Sequence, residues 1–247
     1  MNIGFKGKNV VIAGGSRGIG RSIALAFAAA GANVSICARG EEALRTTEKE
    51  VRASNGKVHA ASCDLADGAA VKSYVNAAAA ALGGIDVLIN NASAFGRSDD
   101  EAGWEASVSV DLMAPVRASY AALPFLEKSA GTIVHIAALA GLRPSVRTPP
   151  YGAIKAAIIQ YTKTQAAQYA PKKIRVNCVA PGPIYFKGGT WDLNRRNTPQ
   201  LYEHVLARCP FGRMGTPEEV ANVALFLASD AASWVTGQTI AVDGALA

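Results

Sequence analysis

Short apolar runs of strand length alternate with longer stretches whose apolar residues recur at helical spacing, along the whole chain. Residues 8–13, 33–38, 57–62, 86–90, 131–137, 174–179 and 238–242 read as seven strands. Residues 19–30, 41–54, 69–82, 100–126 and 150–169 read as helices; the first is alanine-rich and closed by Gly31, the second is charged. Strands that are apolar without alternation must be covered on both faces. Their alternation with helices specifies an α/β fold, a mostly parallel sheet with helices on both sides. No polar linker, composition shift or longer repeat divides the chain, so residues 1–247 are expected to form one domain. The one long irregular stretch is 180–197, with Pro181, Gly182, Pro183, Gly188 and Gly189; a loop of that length in a compact domain is usually functional, often a lid.

Composition narrows the class. Half of the 247 residues are apolar and 18% are charged, which demands a packed core and excludes a disordered or fibrous chain. No stretch approaches the roughly 18 uninterrupted apolar residues of a membrane span. The first residues have no apolar leader region, so a soluble, cytoplasmic protein is expected. Cys37, Cys63, Cys178 and Cys209 lie far apart without metal-ligand spacing; they are read as reduced core thiols, and no metal is expected. The net charge of +6 is spread without a basic block of five or more residues. Nucleic-acid binding needs such charge gathered on one face; a small polyanion explains the excess as well.

After the first strand comes Gly14-Gly15-Ser16-Arg17-Gly18-Ile19-Gly20, opening the first helix. Glycines at this spacing allow a tight turn and a close backbone approach, and a helix N-terminus offers amide donors to a pyrophosphate. The position between strand and helix is the context that gives the turn its meaning, a dinucleotide site. Asp64, just past the third strand, is placed either to accept from an adenine amine or to cap the next helix. At the end of the second strand an NAD site would carry a carboxylate. This chain has Cys37-Ala38-Arg39, so Arg39, joined by Arg17, is expected to meet a 2′-phosphate as a fork and to favour NADP(H) over NAD(H).

With Asn90-Asn91-Ala92 after strand four, Tyr151-x3-Lys155 and Pro181-Gly182, these residues resemble the short-chain dehydrogenase/reductase family, and within it the β-ketoacyl-carrier-protein reductases. The resemblance runs from Lys8 to Gly244. It implies a Rossmann-like doubly wound domain, usually a homotetramer (otherwise a homodimer), that reduces a ketone or 3-oxo compound or oxidises the alcohol. It implies cofactor contacts at Gly14, Ser16, Arg17, Gly18, Ile19 and Gly20, at Arg39, Asp64 and Leu65, and at Asn91 and Ala92. Further contacts fall on Pro181, Gly182 and Ile184, and on Tyr151 and Lys155 themselves. In the family the tyrosine protonates the carbonyl oxygen; Lys155, one turn later on the same helix face, can lower its pKa.

Two of the family's four catalytic positions are altered. The serine thirteen residues before the tyrosine is Ala138, which has no hydroxyl to orient a carbonyl; the helix-four asparagine is Asp111, which when ionised only accepts hydrogen bonds. Asp111 is expected to pair with Lys155 and stiffen it, and Ser145 or Ser93 to stand in for the missing hydroxyl. Ser93 replaces a usual glycine, and Phe186 stands where a threonine often meets the nicotinamide. Three readings stay open: carbonyl reduction by Tyr151 and Lys155, reduction of a conjugated double bond, or cofactor binding without turnover. The segment 183–198 is expected to close over a small-molecule substrate, with Tyr185, Phe186 and Trp191 as apolar wall and Arg195 or Arg196 meeting an anionic group. His135 is read as a core histidine.

Overall fold

In the computed structural model, which describes residues 3–246, seven strands form one sheet. They are β1 (Asn9–Ala13), β2 (Asn33–Ala38), β3 (Val58–Ser62), β4 (Val87–Asn90), β5 (Thr132–Ile136), β6 (Arg175–Pro181) and β7 (Thr239–Val242). Every pairing is parallel and the order is β3-β2-β1-β4-β5-β6-β7. The central strands are buried on both faces, which is why they read as continuous apolar runs. This is the doubly wound α/β fold read from the sequence. The order reverses between β1 and β4, and the crevice at their carboxyl ends is where such sheets bind ligands.

On one face α1 (Gly18–Ala29), α2 (Glu41–Arg52) and α9 (Pro217–Ala228) bury Ile23, Phe27, Leu44, Val220 and Leu227 against Val10, Ile12, Ile36 and Ile89. On the other, α3 (Gly68–Leu82), α5 (Ala114–Ser129) and α6 (Pro149–Tyr169) bury Val71, Val75, Ala118, Leu126 and Tyr169 against Val11, Leu88 and Ile133.

Three stretches differ from the sequence reading. Residues 100–126 are not one continuous helix: α4 (Glu101–Ala106) passes into a wide π turn at Ser107–Met113 before α5. Pro115 has no N–H to offer the carbonyl of Asp111, so the regular ladder cannot run through this point. The stretch 180–197 is only partly irregular, since α7 (Thr190–Asn197) closes it. Residues 198–237, left without an element, hold α8 (Pro199–Ala207) and α9. The start of α9 is a full capping box: Thr216 accepts from the Glu219 amide and the Glu219 carboxylate accepts from the Thr216 amide.

The end of α9 is held by a side chain from β6. Arg175 donates to the carbonyls of Leu227, Ala228, Ser229 and Val235 at 2.6–3.4 Å, meeting groups the helix itself leaves unpaired. Arg175→Leu is expected to cost about 2–3 kcal/mol. Urea unfolding should show it as a lowered midpoint at unchanged slope.

Candidate active site

The turn after β1 is built by contact with the end of β4. Gly14 has φ +88°, and a Cβ there would lie 2.8 Å from the backbone of Ala92. Asn91 donates to the Gly14 carbonyl at 2.6 Å, and Thr47 of α2 donates to the Ser16 carbonyl at 2.9 Å. A Cβ on Gly20 would overlap the Gly14 carbonyl oxygen. Helix α1 then starts at Gly18 with Arg17 as an extended N-cap, without a side-chain cap and without an acid in its first turn. Its first amides, Ile19 and Gly20 among them, are thus left to whatever anion approaches.

Arg17 and Arg39 are exposed, and neither enters an ion pair among the described residues. Asp64 is exposed as well. Its carboxylate accepts from the Ala66 amide, while the cap of α3 is Asp67, so the helix-cap reading of Asp64 is not met. Leu65 is buried in the core beside it.

Across the switch point, the end of β5 and the first turns of α6 bring Tyr151, Lys155 and Asp111 together. The Lys155 ammonium, 3% exposed, lies 2.9 Å from an Asp111 oxygen in a side chain that is fully buried. It also donates to the Ile136 carbonyl at 3.2 Å. The second Asp111 oxygen accepts from the Ala94 amide at 2.9 Å. Asp111 sits in the π turn, whose widened backbone carries its carboxylate to both partners. Lys155 Nζ is 5.4 Å from the centre of the Tyr151 ring.

Burial works against the ammonium, but the Asp111 charge and hydrogen bond prevail and hold Lys155 above its usual range. The Tyr151 phenol is also raised. Burial is the first cause, Lys155 pulls downward, and Asp111 pushes up again.

Ala138 sits at the mouth of this cluster, 8% exposed, in extended conformation before a short turn at Leu139–Gly141. Each of the two expected stand-ins has a local hydrogen-bond partner. Ser145 shares a hydrogen bond with Thr148 at 2.8 Å and packs on Gly152, and Ser93 accepts from the Phe95 amide at 3.1 Å.

One residue without a sequence signal borders the tyrosine, and a second stacks on the first. Phe95 takes φ +55°, rare outside glycine, and its ring meets Tyr151 edge-on at 4.7 Å. Arg97 stacks on that ring at 4.6 Å and donates to Thr190 at the start of α7.

After Pro181 and Gly182 the chain is pinned by a bridge between Ile184 and Gly215, with Ile184 in the core. Phe186 then places its ring on the glycine turn: a Cβ on Gly18, where φ is +53°, would stand 2.5 Å from the ring's Cζ. Tyr185 and Trp191 pack against Leu139, Cys209, Met214 and Leu246, which ties this segment to the end of β5 and to the C-terminal part of the chain. Arg196 pairs with Asp192 at 2.7 Å and Arg195 lies over the Tyr202 ring at 5.9 Å, so the first is committed to its own helix.

His135 is a core residue, as read. It bridges Asn90 and Gln165 at 3.2 and 2.8 Å, and burial, opposed by the Gln165 bond and aided by Lys155, takes it down to about 4. All four cysteines are free and buried. Among the described residues no helix is long and apolar enough to cross a membrane.

The chain is similar to known proteins in sequence and in fold. The family model described as enoyl-(acyl carrier protein) reductase matches residues 13–246. The isoepoxydon dehydrogenase of Penicillium expansum is 37% identical over all of this chain and 97% of its own length. The 3-oxoacyl-[acyl-carrier-protein] reductase of Chlamydia muridarum is 37% identical over the full length of both. Among solved structures, a 7α-hydroxysteroid dehydrogenase complexed with NADH and 7-oxo glycochenodeoxycholic acid superposes with a TM-score of 0.92 at 31% identity, over 99% of this chain and 96% of that one. The L-sorbose reductase of Gluconobacter frateurii, complexed with NADPH and L-sorbose, gives 0.91 at 30% identity, over 100% and 98%. The chain therefore belongs to the short-chain dehydrogenase/reductase family, oxidoreductases that act on keto or hydroxy substrates with a nicotinamide coenzyme.

Proposed function

We propose that this protein is an NADP(H)-dependent reductase of ketones or 3-oxo compounds, with Tyr151 as proton donor and Lys155 as its support. The observation that carries the reading is the Tyr151–Lys155–Asp111 cluster standing across the strand-order reversal from a helix N-terminus that has no cap of its own. The residues fit a dinucleotide: backbone amides at Gly18–Gly20 for its pyrophosphate, Asp64 and Leu65 on the adenine side, and Asn91 and Ala92 under its centre. Pro181, Gly182 and Ile184 would border the nicotinamide end. Among the described residues Arg17 and Arg39 have no carboxylate partner to compete with a 2′-phosphate, which supports NADP(H) over NAD(H). A bound reduced nicotinamide supplies hydride to the carbonyl carbon.

The chain's own residues supply the rest. The Tyr151 O–H bond breaks as its proton passes to the carbonyl oxygen, and the phenolate left behind faces the Lys155 ammonium. The segment 183–198 covers the substrate. In this reading the protein works in the cytoplasm, as a homotetramer or homodimer. A second reading, reduction of a conjugated double bond, is favoured by one observation: at Ala138 no hydroxyl is present to orient a carbonyl.

Tyr151→Phe is expected to abolish ketone reduction while calorimetry shows NADPH binding nearly unchanged and tighter than NADH binding. Retained turnover overturns the role of Tyr151, and NADPH consumed by no ketone, enone or alcohol favours binding without catalysis. Ala138→Ser restores an oxyanion donor and is expected to raise kcat on generic ketones, by up to the 10²–10³ or so that such a donor is worth. No gain would point to the double-bond chemistry. Since Phe186 covers Gly18, Phe186→Ala is expected to tighten NADPH binding about tenfold by removing a competitor for the same surface. Stopped-flow fluorescence would show the gain in the association rate.

A further inference from the structure

The family resemblance implies an asparagine at position 111, and the substitution to Asp111 changes more than a hydrogen bond. It places a full negative charge 2.9 Å from Lys155 in a site closed to water, with side-chain exposures of 0% and 3%. Neither group can shed its partner cheaply. An unpaired buried charge is strongly unfavourable, so the two are held as an ion pair. A lysine beside a tyrosine ordinarily favours the phenolate by its positive charge. Here that charge is already matched.

The surroundings add nothing to replace it. His135, from β5, is neutral above about 4. Cys178, from β6, is held by burial at about 11 and is a neutral thiol below that. Arg97 is exposed to solvent and stacks on the Phe95 ring. On α6 and the π turn the only charges at the tyrosine are Lys155 and Asp111 themselves.

We propose that Asp111 opposes the field of Lys155 at Tyr151, so that the buried Tyr151 stays a protonated donor through neutral pH and the site runs carbonyl reduction there, with alcohol oxidation displaced to alkaline pH. The inference rests on Tyr151 being the proton-transferring group. The sign follows from the chemistry. Reduction uses the phenol and persists until pH rises through its pKa; oxidation uses the phenolate as base and grows only as pH approaches that value. A higher pKa therefore extends the first and delays the second. Asp111 acts through Lys155 and is a positioning residue, not one that touches substrate.

The deciding titration needs neither coenzyme nor turnover. Ultraviolet difference titration of the protein against its Tyr151→Phe variant isolates the ionisation of this one phenol. It is expected above the ordinary value of about 10. The same difference in an Asp111→Asn background is expected at least about one unit lower. The pH profile of kcat/KM for alcohol oxidation should move to lower pH by the same amount. A wild-type Tyr151 that ionises below the ordinary range overturns the proposal, and so does Asp111→Asn that leaves the value in place or raises it. If Asp111→Asn does not fold, as circular dichroism would show, the wild-type titration decides alone. A high phenol pKa in a protein that reduces no ketone would instead count against the assigned reaction and leave the electrostatic claim standing.

Discussion

The architecture turns on the need to neutralise one ammonium group. Lys155 is carried into the interior by α6, where it is nearly without solvent, and an unpaired cation there would be driven to lose its proton. Three separate elements meet that need. The π turn delivers Asp111, the end of β5 turns the Ile136 carbonyl toward the ammonium, and the loop after β4 satisfies the other Asp111 oxygen through the Ala94 amide. The pair therefore ties the switch point together from both sides. Tyr151 rides on the same helix, so its position is inherited from its neighbour's electrostatics.

The fold was legible because its signals are local. Seven apolar runs, helix-period segments between them and a glycine turn at the first junction specify a parallel sheet and the place of its crevice. The site was legible in its parts, since Gly14–Gly20, Asn91, Tyr151 and Lys155 keep their spacings. What stayed hidden depends on backbone detail. The π turn arises where Pro115 cannot complete a ladder, a signal that is present in the sequence but does not say which way the chain will widen. The left-handed backbone at Phe95 has no residue-level mark, because phenylalanine disfavours it and only the surrounding structure enforces it. Helix α9 is a different case. Thr216-Pro217-Glu218-Glu219 carries a full start signal, so this helix is legible in the sequence itself.

Expectation and structure also part at the side chains meant to compensate for Ala138. Ser145 lies close in sequence to Tyr151, yet it is turned to Thr148 by a hydrogen bond and pressed against Gly152 by the tight entry into α6. Ser93 accepts from the Phe95 amide. Proximity along the chain brings local partners with it, the Thr148 hydroxyl for Ser145 and the Phe95 amide for Ser93.

These observations separate two kinds of function in one crevice. The glycine turn is held by main chain: Gly14 lies on Ala92, Asn91 locks the Gly14 carbonyl, and Thr47 locks that of Ser16. Such a turn survives side-chain change. Around it Arg17 and Arg39 stand exposed, and the Phe186 ring covers Gly18. The Tyr151–Lys155–Asp111 cluster, by contrast, is made of side chains. Ala138 presents only a methyl there, and Asp111 answers the Lys155 cation. Neither demands anything of the scaffold, because the first is small and buried and the second is paired. Side chains at these two positions can therefore change without disturbing the main-chain turn around Gly14.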